Sequence, residues 1–321
     1  MNIKVFDMIS ISCNAWMVGR RRHAEHGEWS VLMYLITGAT GLIGRALVDT
    51  LVSAGAEITA VTRHPDGAAL PPGVKVVMPE ALESVMPEVT AVFVHPRATK
   101  DGVDALLASA GRHDVARVVV MSAINADDDP SWQPSRFNGD RNTEVERAVA
   151  ECGLPWVSVR PCSFAMNTLT MWSGQVARGD TIYAPFGAFA EAVLHERDVA
   201  EVIARALADD SLLGRRIPLT GPAALRFDEM VQTIGDTIGR PLRWQEIPAE
   251  VAAKAMTQRG LGEQFVNALM DRYAREIDQP VFVSDEVAQI LGRPARSFAD
   301  WVAEHVQAWP QRIALAGTAS A

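Results

Sequence analysis

The chain is poor in the residues that usually do proton chemistry. Its 321 residues include three tyrosines, Tyr34, Tyr183 and Tyr273, and four lysines, Lys4, Lys75, Lys100 and Lys254. The residues four places beyond the tyrosines are Gly38, Gly187 and Ile277. No Tyr/Lys pair therefore shares a helix face, and proton transfer by such a pair is excluded. Cysteine is equally scarce. Cys13, Cys152 and Cys162 are odd in number and far apart, so neither a disulfide framework nor a metal pattern follows, and a reducing cytoplasm is expected. No apolar run reaches the roughly 20 residues of a membrane helix, so no membrane partner is expected. The net charge of −9 argues against nucleic acid as a partner.

What is present begins at residue 34. Tyr34-Leu35-Ile36-Thr37 is apolar and β-branched and reads as a strand. Gly38, Gly41 and Gly44 follow at three-residue spacing, and Leu42, Ile43, Ala46, Leu47 and Leu51 then recur at helical spacing. In this strand-loop-helix setting Gly38 permits a tight turn and Gly41 lets a pyrophosphate approach the backbone. Gly44 lets the helix pack closely, and free N–H groups face the anion. Gly38, Thr40, Gly41, Leu42 and Ile43 are the expected dinucleotide loop. After the strand at 57–62 an acid would bind a ribose hydroxyl, but Arg63 stands there. Arginine suits a 2′-phosphate, so NADP(H) is expected in preference to NAD(H).

The rest of the first half alternates. Strands are expected at 74–78, 91–94, 117–121 and 156–160, with helices at 81–86, 101–111 and 138–151. This predicts an α/β fold with a doubly wound parallel Rossmann sheet and a smaller, mainly α substrate lobe. Domain bounds of 31–165 and 166–321 are expected, with returning segments near 194–222. Residues 1–30 are expected to be a poorly ordered extension. His95 and Ser122 end strands and so border the ligand crevice of an open α/β sheet, although a structural histidine explains His95 equally well.

The run from Thr37 to Gly44, together with Arg63, Glu146-x6-Gly153-Leu154 and Ser158-Val159-Arg160-Pro161-Cys162-Ser163-Phe164-Ala165-Met166-Asn167, resembles the NmrA-like branch of the atypical short-chain dehydrogenase/reductases. The segment His195-Glu196-Arg197-Asp198-Val199-Ala200 is similar to the family's Asp-Val-Ala helix start. The resemblance implies that Pro161 and Phe164 pass near the nicotinamide. It also implies that Asn138 and Asn142 occupy the positions of the superfamily's Tyr/Lys dyad.

Without the dyad, the available proton donors are Ser122, Asp140 and His95. Met166, Asn167, Trp172 and Phe186 interleave with small residues and are expected to line an apolar pocket. The reading is an NADPH-dependent reductase of a small apolar or aromatic quinone, enone or ketone, acting as a monomer or homodimer. The competing reading is a non-catalytic NADP(H) sensor that binds a protein partner.

Overall fold

The computed structural model describes residues 20–22, 29–99 and 102–310. Arg20–Arg22 (β1) and Trp29–Val31 (β2) pair antiparallel. Everything else in the extension expected over 1–30 lies outside the described residues.

A seven-stranded parallel sheet forms the centre of the fold. Its strands are β3 (Met33–Thr37), β4 (Glu57–Val61), β5 (Lys75–Val77), β6 (Ala91–Val94), β7 (Arg117–Met121), β8 (Trp156–Pro161) and a later strand, Arg216–Leu219. From one edge the order is Arg216–Leu219, β8, β7, β6, β3, β4, β5. The order reverses at β3, where Tyr34 faces Ile58 on one side and Ala91 on the other. In an open α/β sheet such a reversal is where ligands bind, at the carboxyl ends of the strands. Continuous apolar runs such as Ala91-Val92-Phe93-Val94 pair well in this position, because a parallel strand is covered on both faces.

By its internal packing the chain divides into two compact units. The first holds the chain up to Met121, then Glu144–Ser158 and Ala200–Arg216. Its helices include α1 (Leu42–Ser53), α2 (Leu82–Val85), α3 (Pro96–Thr99), α4 (Val103–Arg112) and α5 (Asn142–Glu151). In α1, Ile43, Leu47, Val48 and Leu51 are buried at i, i+4, i+5 and i+8, one stripe of a helix. Leu106, Leu107 and Ala110 of α4 and Val145 and Val149 of α5 pack with Leu35, Val92, Val94, Val118 and Val120 of the sheet.

The second unit holds Ser122–Thr143, Val159–Val199 and the chain from Ile217 onward. Trp172 of α6 (Asn167–Val176) joins Phe227, Met230, Val231 and Ile234 of a later helix, Phe227–Thr237, in an aromatic-rich core. Trp301 and Val302 join it from the helix Phe298–Glu304, which starts with a capping box between Ser297 and Asp300. Thr181–Ala184 pairs parallel with Arg243–Glu246.

One expected helix is corrected. The segment 138–151 becomes helical only at Asn142. Pro134–Asn138 forms a tighter 3-10 turn, and Gly139 then enters the left-handed region at φ 91° and breaks it. Asn138 and Asp140 therefore lie before α5, and Asn138 and Asn142 do not share a helix face.

Candidate functional site

The glycine loop lies wholly within the first unit. Gly38 leaves β3 with φ +69°, a conformation open to glycine at little cost. A Cβ there would also meet the Cβ of His95 at 3.0 Å. A Cβ on Gly44 would lie 2.1 Å from the Gly38 carbonyl oxygen, so any side chain would force α1 away from the turn. Gly41 differs. A Cβ on it would meet only the Gly38 oxygen, at 3.4 Å, and its outer side is open. α1 begins at Gly41 without a side-chain cap and without an acid in its first turn. Such a helix start offers backbone donors and positive potential to an anion.

Two residues that the sequence did not single out for this role hold the loop. The Arg45 guanidinium donates to three carbonyls, those of Thr40 at 2.9 Å, Ala69 at 2.9 Å and Ala68 at 3.0 Å. Thr37 donates through Oγ1 to the Phe93 carbonyl at 3.0 Å and accepts from the His95 N–H at 2.8 Å. The carboxyl ends of β3 and β6 are thereby tied together. His95 supports the glycine turn from below, and α3 starts directly after it. Arg63, two residues beyond β4, is exposed and makes no ion pair among the described residues.

The remaining expected site residues belong to the second unit. Ser122 follows β7 and is buried; its N–H donates to the Val159 carbonyl at 2.7 Å, and its hydroxyl has no partner. Asp140 is half-buried, and its N–H donates to the Ser135 carbonyl. Pro161 is buried at the end of β8, and Phe164 bridges to Leu194. Met166 is half-buried and Asn167, at the start of α6, is exposed. The Trp172 ring packs edge-on against Phe227 at 5.6 Å and Trp244 at 6.0 Å, well inside the core.

Phe186 is held in an unusual way. Its φ of 60° is left-handed, which costs a non-glycine residue roughly 1–2 kcal/mol. The Glu246 carboxylate accepts the N–H groups of Phe186 at 2.6 Å and Gly187 at 3.0 Å, and the Trp244 indole N–H at 2.7 Å. Gly187 is required, because a Cβ there would lie 2.6 Å from that indole nitrogen. Close by in the chain, Glu191 accepts from Ser163 Oγ at 2.8 Å and pairs with Arg272 at 2.8 Å. Burial and the Glu191 charge raise the pKa of the neighbouring Tyr273 phenol, so it stays protonated.

The polar groups at the start of the helix Glu196–Ala206 are structural. The Asp198 carboxylate is fully buried and pairs with Arg293 at 2.8 Å and with Arg296. Glu196 accepts from the Trp301 indole at 2.8 Å. His195 is buried among these groups, and desolvation lowers its pKa. No group of histidine, cysteine and acidic residues able to hold a metal occurs among the described residues.

Residues 38–210 match the family described as NAD(P)H-binding. The chain is 31% identical over 286 residues to the (4-alkanoyl-5-oxo-2,5-dihydrofuran-3-yl)methyl phosphate reductase of Streptomyces griseus subsp. griseus, covering 86% of this chain and 99% of that protein. It is also 31% identical over 288 residues to the NAD(P)H azoreductase of Xenophilus azovorans, again covering 86% and 99%. Among solved structures, the NADPH-dependent quinone oxidoreductase from Escherichia coli shares the fold. Its TM-score is 0.72 at 21% identity, over 85% of this chain and all of that one. The protein belongs to the NAD(P)H-binding family. It also shares its fold with NmrA, at a TM-score of 0.64 and 15% identity over 85% of this chain and 94% of that one. The loop fits the cofactor of that family: a glycine turn, an open face at Gly41 and an uncapped helix start are what a pyrophosphate requires.

Proposed function

We propose that the protein is an NADPH-dependent reductase of an apolar or aromatic small molecule, such as a quinone, enone or ketone, working without a Tyr/Lys dyad. The observation that carries this reading is the glycine loop, with its open face at Gly41 and the uncapped start of α1. Gly38, Thr40, Gly41, Leu42 and Ile43 hold the pyrophosphate through backbone donors. Arg63 takes the 2′-phosphate, because its guanidinium is exposed and has no other ion pair among the described residues. His95 and Ser122 border the nicotinamide half, with Pro161 and Phe164 beyond it. The bound cofactor supplies a hydride.

Acceptors with delocalised electrons suit a site that lacks a strong general acid. Negative charge that develops on a quinone or enone spreads over the conjugated system and demands less proton donation than charge on an isolated ketone. Both relatives at 31% identity are reductases of conjugated molecules by their names, an azo compound and an acyl butenolide. The Ser122 hydroxyl, buried without a partner, is the leading proton donor. His95 is occupied beneath the glycine turn, and Asp140 lies in the turn before α5.

The test is a titration with NADPH, NADP+, NADH and NAD+, then an NADPH-oxidation screen with quinones, enones and aromatic ketones. Tight NADPH binding with turnover is expected. Tight binding without turnover on any acceptor would replace the reductase with a nucleotide sensor, and absence of binding would refute the loop assignment.

A further inference from the structure

Within the first unit, the segment that follows β4 carries Arg63 and is held to the rest of the unit by few hydrogen bonds. Thr62 donates its N–H to the Val77 carbonyl at 3.0 Å, the last rung towards β5. Beyond it the bonds turn inward. The His64 N–H donates to Thr62 Oγ1 at 3.2 Å, and the Ala68 N–H to the Pro65 carbonyl at 3.2 Å. Among the described residues, the hydrogen bonds that join residues 63–70 to another element both come from Arg45, at the start of α1. Its guanidinium donates to the Ala68 carbonyl at 3.0 Å and to the Ala69 carbonyl at 2.9 Å. Ala69 has a φ of 46°, a left-handed conformation that an alanine keeps only where its surroundings hold it. The third N–H of the same guanidinium donates to the Thr40 carbonyl, in the glycine turn, at 2.9 Å. One planar fork therefore ties the segment that carries Arg63 to the turn expected to hold the pyrophosphate. A lysine ammonium lacks that planar fork of donors.

We infer that Arg45 is a positioning residue for cofactor selection: it fixes the segment that carries Arg63 against the glycine turn, and discrimination between NADP(H) and NAD(H) depends on it through Arg63. The inference rests on the assignment of the 2′-phosphate to Arg63. An arginine on a loose segment must be ordered each time a phosphate binds, whereas a tethered one is already in place. The pyrophosphate contact does not share this dependence. The start of α1 is also set by the left-handed Gly38, by the close packing of Gly44 and by the link from Thr37 to His95. Loss of Arg45 therefore falls mainly on the 2′-phosphate.

The test titrates the full chain with NADP+ and NAD+, which differ by the 2′-phosphate alone, and reads binding by calorimetry. Arg45→Met removes the fork and keeps an apolar stem. Its NADP+ affinity is expected to fall about three- to tenfold and its NAD+ affinity by less than about twofold. Arg45→Lys keeps the charge without the fork and should lose NADP+ affinity to a similar extent. Full NADP+ affinity in Arg45→Lys would show that charge alone suffices and would overturn the inference. The decisive comparison is made in the Arg63→Ala background. There Arg45→Met should leave NADP+ affinity unchanged, because the residue that it positions is gone. A purely structural arginine would instead cost the same in both backgrounds, and that outcome also overturns the inference. If Arg45→Met is unfolded at the titration temperature, the same cycle is run with Arg45→Lys. The outcomes separate the inference from the assignment beneath it. An unmodified protein that binds NADP+ and NAD+ equally removes the Arg63 assignment and the inference together. A protein that prefers NADP+ and keeps that full preference in Arg45→Met removes the inference alone.

Discussion

Two turns in this protein present successive backbone N–H groups, and they are finished in opposite ways. At the start of α1 the donors meet no capping side chain and no acid. At Phe186-Gly187 the donors are filled by the protein's own Glu246 carboxylate. Both turns depend on a glycine that has no room for a side chain, Gly44 in one and Gly187 in the other. An unfilled donor cluster at a helix start is a place for an external anion. A filled one is a clamp that fixes a neighbouring side chain, here the Phe186 ring. The same backbone chemistry is thus left open at one turn and filled by the protein itself at the other.

The contrast is most sharply tested at the glycines. Gly44→Val should cost about 3 kcal/mol or more of stability and abolish nucleotide binding, because its Cβ would overlap the Gly38 carbonyl. A thermal melt and an NADPH fluorescence titration report the two effects together. Gly41→Val should separate them. Its open face lets the fold survive with a loss within about 1 kcal/mol, while both NADPH and NADH binding disappear. Retained binding in that variant would remove the loop from the cofactor site.

On the other side of the comparison, Glu246→Gln keeps one acceptor oxygen but loses the charge and the paired grip. It should cost about 1–2 kcal/mol in a denaturant melt and leave NADPH affinity untouched. A smaller change is expected at Arg63. Arg63→Ala should weaken NADPH about tenfold or more and spare NADH, so the ratio of the two dissociation constants is the measurement. Equal losses would place the arginine elsewhere.

The smallest effect is a surface one, in the first unit. Hydrogen bonds from Arg112, Ser109 and His113 hold the exposed Glu83 carboxyl down to about 2 from its ordinary 4.5. A lowered carboxyl pKa stabilises the folded state above the ordinary value, and that stabilisation disappears as pH falls towards 2. Glu83→Gln should therefore lower the melting temperature slightly at pH 7 and leave it unchanged near pH 2. An identical melting temperature for the two proteins at pH 7 would show that solvent screens the cluster completely.

The two units were not equally legible. The glycine loop, the alternating strands and the helix after the loop could be read because each signal is local: three glycines, a period of two, a period of 3.6. The helix expected over 138–151 failed at its start for an equally local reason, the left-handed Gly139 after a proline-led turn. Arg45 and Thr37 were not singled out as supports because their partners, such as Ala68, Ala69 and Phe93, are distant in sequence. In the second unit, the apolar residues 166–186 pointed to a pocket, but periodicity cannot say which of them become core. Trp172 is packed in the core, and Phe186 is turned by a carboxylate 60 residues away.

The sequence by itself determined the glycine turn and the helix after it, the parallel sheet and the absence of a Tyr/Lys pair, because each depends on residue types at short spacing. Tertiary structure decided that Gly41 is the open glycine and Gly44 the closed one. It also decided which buried charges neutralise one another, and that the Ser122 hydroxyl is buried without a partner. Those outcomes depend on groups brought together over tens of residues, where burial turns a missing hydrogen bond into a cost that an exposed residue would not bear.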